Sequence, residues 1–356
     1  MKRIPVTPRS DYREKIEALG FDFHGDYWRE EAYYRFTAEE TACLEEATNE
    51  AYHLYCEAAQ FIIEDNPEFM ERALNIPKEI GERIRASWGA DELSLYGRFD
   101  FILAKDGTPK ILEFNADTPT SLLEASVIQW QWKEDVFPEC DQFNGIHEGL
   151  VQSWKDIFPK KGEIHFAGAL ENNEDTGTLQ YLASTAMEAG FSTRVLDMQA
   201  LDLQNGRFFD PGEWMVDESP DGCLAEMEWL EPIWKLVMSN KAILATLYEL
   251  FPDSPYVLPC YLSRPRSGLF CKKPVFSREG HNVSVVDIRD WEEYVRIAET
   301  EGDYNTGAYV YQEYVEPTAY SGRYPVIGSW IIGGEAAGIG IRENRMEVTD
   351  NLSEFV

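Results

Sequence analysis

Alternating polar and apolar positions predict a pair of strands with several charged side chains on one face. Arg98 and Asp100 are two residues apart, and Glu113 and Asn115 repeat this spacing after the turn-forming dipeptide Asp106-Gly107. Because side-chain direction repeats every two residues in a strand, each pair lies on one face. If Asp106-Gly107 is a two-residue hairpin loop, register counting places Asp100 opposite Glu113 and Arg98 opposite Asn115.

This predicted hairpin places two carboxylates side by side. Directly opposed like charges cost stability, so the arrangement favours a cation between them. The oxygen-only set of Asp100, Glu113 and Asn115 suits magnesium. An ordinary solvated hairpin has the same pattern, so the residues alone leave both interpretations open.

Helical spacing dominates the amino-terminal part of the chain. Thr37 and Glu40 form a capping-box pattern, and the apolar positions over 44–61 predict a long helix that ends before Asn66-Pro67. A second helix is predicted over 77–88. After the hairpin, Thr118-Pro119 predicts another helix start, whose amino end would face the proposed metal site.

The remaining pattern predicts a mixed order of elements. A strand over 164–168, a helix over 178–189 and a strand over 191–196 form a βαβ unit, and 203–228 is a boundary or loop. The pattern then predicts the following elements: helix 240–250, strand 269–276, turn 277–280, strand 283–288, helix 291–301, strand 308–315 and an antiparallel pair around Gly333-Gly334. This order predicts the α+β class, with a helical region over 1–90, an α/β middle lobe over 91–228 and an α+β lobe over 229–356.

Composition narrows the class of protein. The chain has 356 residues, 44% hydrophobic content and a formal net charge of -32, which indicates a globular protein that repels nucleic acid and anionic membranes. The same charge would attract metal ions or polyamines, although solubility alone also explains it. The six cysteines are scattered and no long apolar run occurs, so we expect reduced thiols, no membrane span and a cytoplasmic location. The oligomeric state is not predicted.

Two lysines are candidates for phosphate contacts. Lys241 starts a predicted helix, and Lys273 lies in an otherwise apolar strand beside the glycine-bearing turn 277–280. A solvated lysine is the alternative for each. The histidines are isolated and lack metal-ligand spacing, so they are interpreted as structural or surface residues.

These motifs carry a family resemblance. The segments R-F-D (98–100), E-F-N-A-D-T-P-T-S (113–121), S-N-K-A (239–242), K-K-P-x-x-S-R-E-G-x-N (272–282), Y-Q-E-Y (311–314) and G-I-G-I-R-E (338–343) resemble the synthetase domain of glutathionylspermidine synthase. Stand-alone members of this family, without the amidase domain, are described as acid–amine ligases. The resemblance implies a permuted ATP-grasp ligase, in which ATP phosphorylates a carboxylate and an amine displaces the phosphate.

The resemblance also implies roles for individual residues, with ATP and Mg²⁺ as cofactors and a small-molecule acid and amine as partners. The implied magnesium ligands are Asp100, Glu113 and Asn115, and the implied catalytic arginines are Arg98 and Arg342. The implied ATP contacts are Arg98, Asp100, Lys241, Lys273, the phosphate loop Ser277, Arg278, Glu279 and Gly280, and the adenine-side strand Gln312, Glu313, Tyr314 and Val315. The implied substrate contacts are Thr118 and Thr120 for a glutathione-like acid, with the acidic pair Glu174 and Asp175 near the same substrate.

Departures from the family pattern leave the substrates open. Thr118 and Thr120 replace serines of the bifunctional enzyme, and an aromatic stretch is missing between Pro211 and Glu213. Two other functions are weighed beside the ligase. A metal-independent hydrolase could use Asp100 and Glu113 as an acid/base pair, and a non-catalytic nucleotide sensor could keep the pocket without turnover.

Overall fold

The computed structural model describes residues 1–21, 27–160, 162–204, 207–209, 229–278, 280–290, 294–304, 307–345 and 353–356. Its strands are β1 Lys2–Pro5, β2 Ala32–Arg35, β3 Tyr96–Leu103, β4 Pro109–Asn115, β5 Glu163–Gly168, β6 Ser192–Asp197, β7 Asp202–Gln204, β8 Arg207–Phe209, β9 Cys260–Tyr261, β10 Gly268–Pro274, β11 Ser284–Ile288, β12 Tyr294–Glu299, β13 Tyr309–Glu313, β14 Tyr324–Ile332, β15 Glu335–Asn344 and β16 Glu354–Phe355. Its α-helices are α1 Tyr12–Ala18, α2 Ala38–Gln60, α3 Glu68–Arg72, α4 Lys78–Gly89, α5 Gln129–Val136, α6 Ile146–Ile157, α7 Asn173–Ala189, α8 Lys235–Ser239 and α9 Ile243–Leu250.

One five-stranded antiparallel sheet has the order β16-β15-β14-β3-β4. Its longest hairpin, β14–β15, turns at Gly333-Gly334, where both glycines have positive φ angles of 58° and 90°. Glycine has no Cβ and adopts positive φ angles at little cost, which is why this pair of residues makes the turn. The predicted antiparallel pair is therefore confirmed.

The capping box and long helix predicted near Thr37 are also confirmed. The Thr37 side chain accepts a hydrogen bond from the backbone N–H of Glu40, and the Glu40 carboxylate accepts one from the N–H of Thr37. A π-helical turn, Phe61–Asp65, extends α2 to the predicted end. The buried stripe of α2 packs on the Phe99 and Phe114 side of the sheet. Strand alternation thus leaves the neighbouring polar residues of β3 on the opposite face.

The second five-stranded sheet has the order β12-β11-β10-β13-β9 and is antiparallel throughout. The predicted helix over 291–301 is wrong where it can be compared, because Tyr294–Glu299 forms strand β12 and pairs with β11. Tyr294, Val295 and Ile297 are aromatic or β-branched, and such side chains favour an extended edge strand when a pairing partner is present. Residues 291–293 lie outside the described part of the chain.

A smaller βαβ unit confirms the prediction for the middle of the chain. Strands β5 and β6 are parallel, and α7 connects them. Gly190 ends the helix with a φ angle of 98°. The helix begins earlier than predicted, since the Asn172 side chain accepts a hydrogen bond from the N–H of Glu174 at 2.9 Å.

The several sheets and helices confirm a mixed α and β class, whereas the division into three lobes stays a prediction. Most of the predicted boundary segment 203–228 lies outside the described residues. None of the described helices is long and apolar enough to cross a membrane.

Candidate active site

The register between β3 and β4 places four polar residues on one face, and it confirms the predicted pairing. Asp100 lies opposite Glu113, and Arg98 lies opposite Asn115. The predicted two-residue loop is wrong, however, because the connection spans 104–108 and shifts the pairing by one residue at its start. A β-bulge then inserts Leu112 as an extra residue in β4 and restores the predicted register before Glu113.

Asp100 is the centre of a buried charge cluster. Its carboxylate accepts hydrogen bonds from Arg98 Nε at 2.7 Å and Nη2 at 3.2 Å, and from Arg342 Nη2 at 2.7 Å. Burial by itself would raise the pKa of this carboxyl, but the two guanidinium groups outweigh burial and hold its pKa below the ordinary value. Asp100 is therefore ionised at neutral pH.

Glu113 forms an ion pair with a lysine that is distant in the sequence. Lys241 Nζ lies 3.0 Å from Glu113 Oε2 and donates a hydrogen bond to the carbonyl of Ser277 at 2.6 Å. Burial raises the pKa of Glu113 and Asp100 adds to this effect, but the Lys241 and Lys273 ammonium groups lower the pKa below its ordinary value. The two opposed carboxylates are thus both compensated by cations.

A lysine and a glutamine of the second sheet contact the bulge of the first. Lys273 Nζ donates hydrogen bonds to the carbonyl of Leu112 at 3.1 Å and to Gln312 Oε1 at 2.7 Å. Gln312 Nε2 donates to the carbonyl of Ile111 at 2.9 Å. Because β4 is an edge strand, these side chains satisfy backbone groups that would otherwise lack a partner strand.

A cavity of about 310 Å³ lies between these elements. Its volume is within the usual range for a small-molecule site. The predicted site residues that line it are Arg98, Asp100, Glu113, Asn115, Thr118, Thr120, Glu174, Asp175, Lys273, Arg278, Gly280, Gln312, Glu313, Tyr314, Val315 and Arg342. Lys241 and Ser277 contact each other next to Glu113, and Glu279 lies outside the described residues.

The loop that follows β4 contradicts the predicted helix start at Thr118-Pro119. The helical segment begins at Leu122, after Ser121 adopts a positive φ angle of 66°, and it continues through a π-helical turn, Glu124–Ile128, into α5. Hydrogen bonds from two arginines hold this loop. Arg278 Nη2 donates to the Thr118 hydroxyl at 2.5 Å, and the Arg98 guanidinium donates to the carbonyl of Thr120. Thr118 therefore faces the cavity instead of capping a helix.

The amino end of α7 brings an acidic pair to the cavity. Glu174 and Asp175 are in its first turn, and both line the cavity beside Asn172. Burial raises the pKa of Asp175, the neighbouring Glu174 raises it further, and Arg278 partly opposes both effects. This end of the cavity is the part that suits a cationic group.

Sequence reasoning missed several lining residues. Asp117 and Asn172 had local signals, since Asp117 lies inside the 113–121 motif and Asn172 precedes an acidic helix start. Tyr324 and Val326 reach the cavity only because β14 pairs with β3. Gly328 lies opposite Asp100, and a methyl group added there would be 2.8 Å from Arg98 Cδ. No local pattern marks these three positions.

The donor set of this face fits a magnesium ion held together with a phosphate-bearing ligand. Mg²⁺ in proteins commonly uses one or two carboxylates plus phosphate and water oxygens. Asp100 and Glu113 supply the carboxylates, and the Asn115 amide adds an oxygen for the metal. Its buried Nδ2 has no hydrogen-bond partner among the described residues and suits a phosphate oxygen. The described residues contain no cluster of three or more His, Cys, Asp or Glu that could hold a metal unaided.

Comparisons with known proteins identify the family of the chain. The family described as glutathionylspermidine synthase preATP-grasp matches residues 3–356. A protein of Haemophilus influenzae named "Putative acid--amine ligase" is 34% identical over 392 aligned residues, which cover 100% of this chain and 98% of that protein.

Two longer relatives are more distant. A trypanothione synthetase of Crithidia fasciculata is 27% identical over 90% of this chain, and a bifunctional glutathionylspermidine synthetase/amidase of Escherichia coli is 23% identical over 97%. The chain matches only 57% and 62% of these two proteins.

A solved structure of a glutathione synthetase-like effector from Globodera pallida covers 97% of this chain and 94% of its own, with a TM-score of 0.56 at 11% identity. This similarity shows a shared fold alone. The match over residues 3–356 confirms the resemblance inferred from the motifs: the chain belongs to the glutathionylspermidine synthase preATP-grasp family.

Proposed function

We propose that this protein is an ATP- and Mg²⁺-dependent ligase that joins a carboxylate to an amine through an acyl phosphate. One observation carries the proposal: cations from distant parts of the chain converge on the opposed carboxylates Asp100 and Glu113 in one cavity. The proposal includes a permuted ATP-grasp arrangement, with a helical region 1–90, a metal and acid lobe 91–228 and an ATP lobe 229–356. The metal hairpin then precedes the ATP lysines along the chain.

The metal and the phosphates would share the polar face of β3 and β4. Asp100, Glu113 and Asn115 would hold Mg²⁺, which when bound screens the negative charge of the ATP phosphates. Arg98 and Arg342 already lie within hydrogen-bond distance of Asp100. Their guanidinium groups are thereby fixed where negative charge would develop during phosphoryl transfer.

The second sheet would bind the rest of ATP. Lys241 and Lys273 supply positive charge next to the proposed metal site. The loop 277–280 would cover the phosphates, with Glu279 known only from the sequence, and the strand 312–315 would lie beside the adenine. In this assignment the protein acts by positioning and electrostatics, without a covalent protein intermediate.

The loop after β4 and the start of α7 would bind the two other substrates. Thr118, Thr120, Glu174 and Asp175 all line the cavity. In this proposal the two threonines would contact the acid, and the two carboxylates would provide negative charge for a cationic amine, which includes the polyamine class. A carboxylate oxygen attacks the γ-phosphorus of ATP and ADP leaves. The unprotonated amine then attacks the acyl carbon, the bond from that carbon to the phosphate oxygen breaks, and the amide forms as the nitrogen loses a proton and phosphate leaves.

The charge pairing argues against the hydrolase alternative. A general acid must keep a proton near neutral pH, which usually requires a raised pKa. Asp100 and Glu113 both have pKa values held below the ordinary range by nearby cations. The nucleotide-sensor alternative shares the whole cavity with the ligase, so only turnover separates these two.

A turnover assay tests the proposal. ADP release is measured with Mg-ATP across a panel of peptides with free carboxylates, each paired with amines and polyamines. We expect release to require one acid and one amine together, and Glu113→Gln to abolish it while the exposed Glu57→Gln variant retains it. Nucleotide binding without substrate-dependent ADP release would support the sensor, and unchanged release by Glu113→Gln would refute the metal assignment.

The same proposal covers location and partners. We also propose small-molecule partners and a cytoplasmic location, and the net charge of -32 argues against binding to nucleic acid or anionic membranes.

A further inference from the structure

The side chain of Gln312 lies between the two sheets that form the cavity. It is 1% exposed, and the family resemblance implies that it belongs to the adenine-side strand. On β10 and β13, Cys271 pairs directly with Gln312, and Lys273 is two residues further along the same face. The amide and the ammonium group can therefore meet across the two strands.

The chemistry of its partners fixes the orientation of the Gln312 amide. An ammonium group only donates hydrogen bonds and a backbone carbonyl only accepts them. The oxygen of Gln312 must therefore face Lys273 Nζ, at 2.7 Å, and its nitrogen must face the carbonyl of Ile111, at 2.9 Å. Both ends of the amide are thus engaged within the protein.

Lys273 is in turn held at two points. It donates to Gln312 Oε1 and to the carbonyl of Leu112, the extra residue of the β4 bulge. An ammonium group has three N–H donors, so in the described structure one remains for a ligand in the cavity that Lys273 lines. The same bulge sets the register that aligns Glu113 with Asp100.

We propose that Gln312 is a positioning residue that holds the Lys273 ammonium group against the β4 bulge, and that its amide does not select the purine base. This inference rests on the proposed function, because it takes Lys273 as an ATP contact. Without the Gln312 oxygen, the ammonium group loses one of its two anchors and samples more orientations, which weakens phosphate binding through lost preorganisation.

The test measures binding of Mg-ATP and Mg-GTP by titration calorimetry, so that it does not depend on turnover. The variants are Gln312→Met, which keeps the length but removes the amide, Gln312→Asn, which shortens it, Lys273→Met, and the double variant with methionine at both positions. Thr48→Val is the matched control, because it removes a buried hydrogen bond to Ser329 elsewhere in the protein.

We expect each Gln312 variant to raise the Kd for ATP by about 10-fold to 100-fold, the usual effect of losing a hydrogen bond to a charged group. The Kd ratio of GTP to ATP should stay unchanged. In the Lys273→Met background, Gln312→Met should have no further effect, because the group that it positions is gone. Thr48→Val should bind ATP like the unaltered protein.

Other outcomes have distinct meanings. A changed GTP to ATP ratio would show that Gln312 contacts the base, and an additive loss in the double variant would show that Gln312 acts independently of Lys273. Either result would overturn the inference. Unaltered ATP binding by Gln312→Asn would also overturn it. Absence of nucleotide binding by the unaltered protein would instead refute the proposed function itself.

Discussion

Replacing Asp100 by asparagine tests how far the cavity depends on one buried carboxylate. Asparagine keeps the shape of the side chain but removes the charge that faces Arg98 and Arg342. Asp100 is 5% exposed and accepts three hydrogen bonds of 2.7 to 3.2 Å from these arginines. Removing one partner from a buried ion pair costs about 3–5 kcal/mol. We expect the lower end, about 3 kcal/mol, because Arg342 faces the cavity and can regain some solvent.

This energy converts into a measurable shift of the unfolding midpoint. At an unfolding entropy of about 2.1 cal/mol/K per residue, a chain of 356 residues loses about 4 °C for 3 kcal/mol. Calorimetric unfolding of the Asp100→Asn variant at neutral pH measures the shift. The exposed Asp156→Asn variant is the control, and its midpoint should change by less than about 1 °C.

The shift should also depend on pH. The pKa of Asp100 is lower in the folded protein than in the unfolded chain, so its contribution to stability is fully present above the unfolded pKa of about 4 and is lost as the pH falls through the folded pKa. The difference in unfolding midpoint between the unaltered protein and the Asp100→Asn variant should be constant from pH 5 to 8. It should become smaller below about pH 4. Equal midpoints at neutral pH, or a gap that widens on acidification, would refute this account of the cluster.

Three further perturbations probe the rest of the cavity. Gly328→Ala places a methyl group 2.8 Å from Arg98 Cδ, closer than the 3.4 Å of ordinary contact; the guanidinium must shift, and we expect ADP release to fall about 100-fold. Lys273→Met should raise the Kd for Mg-ATP at least about tenfold. Lys272→Met should not, because adjacent residues of a strand lie on opposite faces and Lys272 packs on the Tyr309 ring. Glu174→Gln should raise KM for the amine more than KM for the acid, as measured by initial rates of ADP release.

Controls separate these effects from general loss of folding. Gly89→Ala adds a methyl group in open space at the end of α4 and should retain ADP release. Equal activity of Gly328→Ala and Gly89→Ala would contradict the proposed role of the Arg98 position. Equal losses of ATP affinity at Lys272 and Lys273 would show a general charge effect. A larger change in KM for the acid than for the amine would place Glu174 in the acid subsite.

The β3–β4 hairpin shows how a sequence-based prediction can be right in its result and wrong in one step. Counting from a two-residue loop paired Asp100 with Glu113, and the structure has this pair. The connection is nevertheless longer, and the extra residue Leu112 compensates for it. Hydrogen bonds from Lys273 and Gln312 to the bulge come from a sheet more than 150 residues away in the chain. No local pattern could have predicted that compensation.

Two elements that differ from the prediction, one in its start and one in its type, also have long-range partners. Thr118-Pro119 has the residue types of a helix start, but Arg278 binds the Thr118 hydroxyl and the helix begins at Leu122 instead. The segment from Tyr294 has enough apolar residues for a helix, but pairing with β11 makes it a strand. In both cases tertiary partners outweigh a local preference of about 1 kcal/mol or less.

The sequence by itself determined the elements that depend on neighbouring residues. The capping box at Thr37, the turn at Gly333-Gly334 and the helix end at Gly190 all follow from local backbone and side-chain chemistry, and the structure has each of them. The motifs also determined the family.

Only the tertiary structure decided how these elements form one cavity. Arg342 reaches Asp100, and Lys241 reaches Glu113, across 242 and 128 residues respectively. The physical reason is that a buried carboxylate must be compensated by a nearby cation, but which cation does so depends on sheet order and on packing. Local sequence patterns carry neither.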